Sequence, residues 1–170
     1  MSTPVILISL SLVLVVLAIV LSKKQEGYAK FCAKSKQPRF LGRSGLVGGL
    51  CIGAINNKSG DPITFTNYRD ADDFDTSEGQ LRSKVNRNSV AAYYNANADG
   101  NPLEYTNVWT GQKFAFDVQG FEDGRQFGTI RHVESGRCLH PENGYPENSG
   151  QRLVTWGDCT PQNRIMYSAY

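Results

Sequence analysis

The chain has 170 residues, 18 Lys and Arg against 16 Asp and Glu, 40% apolar residues and 11% aromatic. That length holds one domain plus an appendage, and a net charge of +2 concentrated in one short stretch excludes a broad nucleic-acid-binding face. Four cysteines without a Cys-x-x-Cys spacing and two histidines give no zinc pattern, and no metal or cofactor is expected.

Val5 to Leu21 is an uninterrupted apolar run, VILISLSLVLVVLAIVL, broken only by Ser9 and Ser11. At about 1.5 Å rise per residue it reaches the short end of what crosses a ~30 Å hydrocarbon core. No cationic segment precedes the run, which argues against a cleaved secretory signal. Residues 1–22 are therefore expected to be an uncleaved single-pass transmembrane helix, with residues 5–21 in the bilayer. Lys23 and Lys24 follow at once. By the positive-inside rule they place the rest of the chain on the cytosolic side, with both lysines at the headgroups. Seven cations between Lys23 and Arg43 face only Glu26, so the remaining chain is net acidic. Residues 23–39 read as a basic juxtamembrane connector and 40–170 as the domain.

The domain repeats itself three times, and fixed-period self-similarity marks a repeat architecture. Phe40-Leu41-Gly42-Arg43, Gly79-Gln80-Leu81-Arg82 and Gly128-Thr129-Ile130-Arg131 open the three units. Leu50-Cys51-Ile52, Val90-Ala91-Ala92 and Arg137-Cys138-Leu139 come next. Turns at Gly60-Asp61-Pro62, Gly100-Asn101-Pro102 and Gly150-Gln151-Arg152 then lead into Thr64-Phe65-Thr66, Glu104-Tyr105-Thr106 and Val154-Thr155-Trp156. Asp72-Asp73-Phe74, Gln112-Lys113-Phe114 and Asn163-Arg164-Ile165 close the units. Four short strands per unit make an all-β domain in which Phe74, Phe114 and Ile165 share one core. Closure of the units on each other removes exposed strand edges.

Cys138-Leu139, Gly150 to Trp156, Asp158-Cys159 and Gln162-Asn163-Arg164-Ile165 resemble the ricin-type β-trefoil, the fold of the R-type lectins. The resemblance covers residues from about Phe40 to Tyr170. It implies a β-trefoil of three pseudo-repeats and a disulfide between Cys138 and Cys159, which closes a loop worth roughly 3 kcal/mol. Cys32 and Cys51 stay open between free thiols and a second pair. The resemblance also implies a carbohydrate site in each unit, with a carboxylate two residues after the first Cys position. Gly53, Tyr93 and His140 stand there, so no unit keeps it. The third unit retains His140, Trp156, Gln162 and Asn163 as a degenerate sugar site.

Other motifs carry less. Asp70 to Asp75 lacks the glycine and glutamate spacing of an EF-hand loop. Asn57-Lys58-Ser59 is a glycosylation sequon, of consequence only for a lumenal domain. No nucleophile motif or phosphate-binding loop appears, so no enzyme is expected. One anchor helix bearing a small domain resembles the minor structural proteins of large DNA viruses with an internal membrane. The expected role is a non-catalytic structural protein docking a membrane to a protein layer such as a capsid. The alternative is a membrane-bound carbohydrate-binding lectin. Disulfides are rare on the cytosolic side, so oxidation within a virion would reconcile the staple with the orientation.

Overall fold

The computed structural model describes residues 27–34, 50–53, 57–92, 96–108, 110–122, 124–146, 148–160 and 167–170. The expected anchor, Lys23 and Lys24, Phe40 to Arg43, Tyr93, Gln162, Asn163 and Ile165 lie outside these residues. Among the described residues the structure is all-β, and no helix is long and apolar enough to cross a membrane.

The strands are β1 (Tyr28–Ala29), β2 (Phe31–Ala33), β3 (Cys51–Gly53), β4 (Thr64–Thr66), β5 (Phe74–Asp75), β6 (Arg82–Ser83) and β7 (Ser89–Ala92). They continue with β8 (Asn101–Thr106), β9 (Phe114–Glu122), β10 (Arg125–His132), β11 (Cys138–Pro141), β12 (Leu153–Trp156) and β13 (Tyr167–Ala169). Only Lys30 separates β1 from β2. β1 pairs with β5 on one side and β2 with β13 on the other, so the ladder closes on itself. The backbone of Lys30 seals the seam: its N–H donates to the Tyr170 carbonyl at 3.2 Å and its carbonyl accepts the Tyr170 N–H at 3.0 Å.

This seam corrects one sequence boundary. β1 and β2 lie in the stretch assigned to the basic connector, and the sheet begins at Tyr28 rather than near residue 40. Two of the connector's cations face inward contacts instead of a membrane. Lys30 Nζ donates to the carbonyls of Ala71 (2.6 Å) and Tyr68 (3.2 Å). Lys34 Nζ pairs with Glu122 at 3.0 Å and lies 3.7 Å from the centre of the Phe127 ring.

The three units superpose by hydrogen-bond register. Cys32 faces Cys51, Arg82 faces Ser89 and Arg131 faces Cys138. The hairpins repeat it: Cys51 pairs with Thr66, Ser89 with Thr106 and Cys138 with Trp156. The second-unit equivalent of Cys51 and Cys138 is therefore Ser89, two residues earlier than the alignment at Ala91. The first-unit equivalent of Arg82 and Arg131 is Cys32, within β2.

The three hairpins interlock in a ring. Gly60 N–H donates to Tyr105 O, Gly100 N–H to Thr155 O and Gly150 N–H to Phe65 O, each at 2.8 Å. The bridges Pro62 to Glu104, Pro102 to Val154 and Arg152 to Thr64 repeat the same cycle. Each glycine sits at positive φ, +90°, +77° and +90° in turn, which only glycine adopts without strain. Inside the ring, matched triplets fill the core: Ile52, Val90 and Leu139; Ile63, Leu103 and Leu153; Phe65, Tyr105 and Thr155. All nine are at most 1% exposed, and each large apolar member stabilises the fold by about 1.5–3 kcal/mol. Phe74 and Phe114 are buried in the same core, as the repeat pattern predicts.

Both cysteine pairs are bonded: Cys138 with Cys159, and Cys32 with Cys51. Cys51 and Cys138 hold equivalent positions yet staple in different directions. One is tied to the neighbouring barrel strand and the other across the far end of its own hairpin.

Two glycines separate strain from collision. At Gly150 an added methyl meets nothing within 4 Å. Gly150→Ala should cost about 1–2 kcal/mol through backbone strain alone. At Gly53 the methyl would lie 2.5 Å from the backbone nitrogen of Asp72, so Gly53→Ala should cost clearly more. Chemical denaturation of the two variants checks this ranking, and equal losses would contradict it.

Candidate functional site

The third unit is the locus that the sequence singles out. With the corrected register, the positions two residues after the cysteine column are Gly53, Ala91 and His140, and Tyr93 is not among them. None of the three is a carboxylate. His140 does not stand in for one. The side chain is 5% exposed, and its Nε2 donates to the Asp158 carbonyl at 2.6 Å. It holds the β12 exit against β11 and is closed to a ligand, which corrects its assignment as a sugar-facing residue.

Trp156 differs. It is 43% exposed, 6.4 Å from the His140 ring, and its six-membered ring passes 3.8 Å from where a methyl on Gly100 would lie. The ring of hairpins thus brings the second-unit turn beside the third-unit indole. That turn supplies a carboxylate which the sequence reading missed. Asp99 Oδ1 accepts the Gly157 N–H at 2.7 Å and pairs with the Arg137 guanidinium, and Asp99 is 45% exposed in that pair. The surface therefore offers an indole face, a carboxylate and a guanidinium. Its only sequence signal was the Asp-Gly turn itself. The proximity comes from packing between units.

A second exposed feature is the β9–β10 hairpin. The equivalent pair β5–β6 has two residues on each strand, whereas β9 has nine and β10 eight. On either side of the register shift at Phe127/Gly128 this hairpin displays Val118, 44% exposed, and Phe121, 70% exposed. Gly128 sits at the shift because a methyl there would meet the Asp117 carbonyl oxygen at 2.2 Å.

The remaining chemistry-bearing groups are internal. His132 is fully buried, edge-on to Phe114 at 5.4 Å. Its Nδ1 accepts the Ser135 N–H at 3.2 Å, which leaves the hydrogen on Nε2, 3.2 Å from Glu134 Oε2. Burial pushes the His132 imidazole below its ordinary value, with the Glu134 charge in partial opposition. Burial also keeps the Tyr167 phenol protonated, its hydroxyl donating to Leu139 O at 3.0 Å. Asn57 is 7% exposed and its Nδ2 donates to Asp72, so the folded chain does not present the Asn57-Lys58-Ser59 sequon to a glycosyltransferase. A pocket of about 240 Å³ between Phe31, Leu81, Phe114, Phe116 and Ile130 has no charged lining residue and falls below the ~300 Å³ of small ligand sites. Among the described residues no three His, Cys, Asp or Glu side chains gather as a metal site.

No family model and no curated protein matches the chain. A solved structure described as a designed 3-fold symmetric protein, ThreeFoil, matches with a TM-score of 0.60 and 14% identity. The match covers 84% of this chain and 96% of that one. The fold is trefoil-like. At that identity the likeness speaks for the all-β, threefold architecture and for nothing beyond it.

The buried histidine predicts an acid limb. Its folded-state pKa is depressed, so the unfolded chain takes up the proton more readily. Stability from this group is whole above about pH 6.5 and declines as pH falls below it. His132→Asn keeps an acceptor for Ser135 and removes the titration. Urea unfolding at a series of pH values should show a lower midpoint for the variant at neutral pH, with the wild-type advantage shrinking through the window in which pH falls below about 6.5. A constant difference across that window would refute the assignment.

Proposed function

We propose that the chain is a non-catalytic, membrane-anchored docking protein that ties a bilayer to a protein layer such as a viral capsid. Residues 5–21 supply the anchor, Lys23 and Lys24 meet the headgroups, and the trefoil-like domain supplies the contact on the cytosolic or particle-interior face. The observation that carries this reading is the long β9–β10 hairpin. It presents Phe121 and Val118 to solvent, while His132, His140 and Asp72 are buried within the fold. An exposed aromatic on a rigid ladder is the residue type that anchors protein interfaces. The two disulfides fit a domain that matures by oxidation inside a particle.

The test uses the full chain in its native assembly. Phe121→Ser should leave the melting temperature and membrane partition unchanged and lower co-purification with the assembled protein layer about tenfold or more. Undiminished incorporation would remove the hairpin from the interface.

The lectin reading keeps one specific support, the open Trp156 indole beside Asp99. Stacking on the apolar face of a sugar needs such a ring, and hydroxyl recognition needs such a carboxylate. A glycan array probed with the disulfide-bonded protein should be blank under the docking reading. Specific binding lost in Trp156→Ala would replace it with the lectin.

A further inference from the structure

In the first two units the closing marker places a polar side chain two residues before the fourth strand. In the second unit that side chain is Gln112. Its Oε1 accepts the Ala92 N–H at 2.7 Å and its Nε2 donates to the Ala92 carbonyl at 3.0 Å, so one amide serves a donor and an acceptor. In the first unit the position holds Asp72, 3% exposed. Asp72 Oδ2 accepts from Asn57 Nδ2 at 2.8 Å and from the Tyr105 hydroxyl at 2.9 Å. Oδ1 of Asp72 and Oδ1 of Asn57 are both buried, and neither has a hydrogen-bond partner.

Treated as an ionised carboxylate beside an amide, this pair buries two acceptors that lack a donor. Each such deficit leaves a desolvated acceptor uncompensated, and the penalty is larger where the group is charged. Rotating the Asn57 amide does not help, because its oxygen would then face Asp72 Oδ2 and the 2.8 Å bond would be lost. The Lys30 ammonium donates to the carbonyls of Ala71 and Tyr68 and lies 3.9 Å from the adjacent Asp73.

One hydrogen removes both deficits. We propose that Asp72 is a neutral carboxylic acid in the folded protein and donates its Oδ1 proton to Asn57 Oδ1. The two side chains then form an acid–amide pair with parallel hydrogen bonds, the first unit's counterpart of the Gln112 brace. The groups facing Asp72 are the hydroxyls of Ser83 and Tyr105, the Asn57 amide and the adjacent Asp73. Burial pushes the Asp72 carboxyl up; the nearby Ser83 and Tyr105 hydroxyls and the Asp73 backbone N–H oppose this, and the Asp73 charge adds to it.

The pair joins two units. Asn57 O also accepts from Asn86 Nδ2 and, at 2.8 Å, from Asn88 Nδ2, both in the β6–β7 turn. Tyr105 belongs to the second hairpin. Protonation of Asp72 therefore tightens the junction between the first and second units. Because the folded state holds the proton more firmly, stability from this group rises as pH falls through the folded value toward 3.8, and is lost as pH rises through that folded value. This is the opposite sign to His132, so the two side chains act against each other in mild acid.

Asp72→Asn reproduces the donor and acceptor pattern of the neutral acid as an amide–amide pair. At about pH 5, where an ordinary aspartate is ionised, the variant should melt no lower than wild type. Its pH profile should lack the component assigned to Asp72. Infrared difference spectra of aspartate-labelled protein at the same pH should show one protonated-carboxyl band that is absent from the variant. That band alone decides if the variant does not fold. An Asp72 signal in the carboxylate region would overturn the proposal. So would stabilisation of the wild type by added sodium or calcium that disappears in Asp72→Asn, since the two oxygens would then be holding a cation.

Discussion

The ring of hydrogen bonds from Gly60 to Tyr105, Gly100 to Thr155 and Gly150 to Phe65 is the constraint on which the rest of this structure depends. A single hairpin of three to six residues per strand is marginally stable at best in water. Each hairpin here lends a turn N–H to its neighbour and receives the next one's support on its middle strand residue. The apolar triplets face inward because of that cycle. So do the neighbour relations at the surface: Asp99 stands next to Trp156 only because the second hairpin's turn rests on the third hairpin's strand.

The seam and the two disulfides complete the closure. Cys32–Cys51 fixes β2 to the first hairpin, a covalent tie for a segment in which β1 and β2 together contribute only five strand residues. Cys138–Cys159 instead secures the stretch after β12, next to the exposed indole. Equivalent positions in a repeat have been given different tasks, one supporting the barrel and the other a surface.

Much of the fold was legible in the sequence, because turn glycines and alternating apolar residues report local geometry. Gly60, Gly100 and Gly150 with the strands after them were placed in register from the sequence alone. The errors came where a stronger local signal masked a weaker one. Tyr28-Ala29 and Phe31-Cys32-Ala33 are an apolar strand interrupted by Lys30, and the run of cations around them read as a connector. At Ala91 the similarity to the cysteine units was two residues off because Ser89 carries no visible mark of a cysteine column. The candidate site was legible only in part. His140 and Trp156 were found, but not the burial of the one or the exposure of the other, and Asp99 and Arg137 were missed. Contacts between units depend on packing that no single repeat encodes.

The pairing of Lys30 with Tyr170 has a consequence for the order of events during synthesis. Contacts that span nearly the whole sequence are the last to become available, and folds rich in them assemble slowly. The barrel cannot close while residue 170 is still being made, although the second and third hairpins can already be formed. Until then β1 can already pair with β5 and β2 with β3, while the edge of β2 that β13 will cover stays open. Cys32 and Cys51 are both made before either cysteine of the second pair, so the first staple can form before the barrel closes.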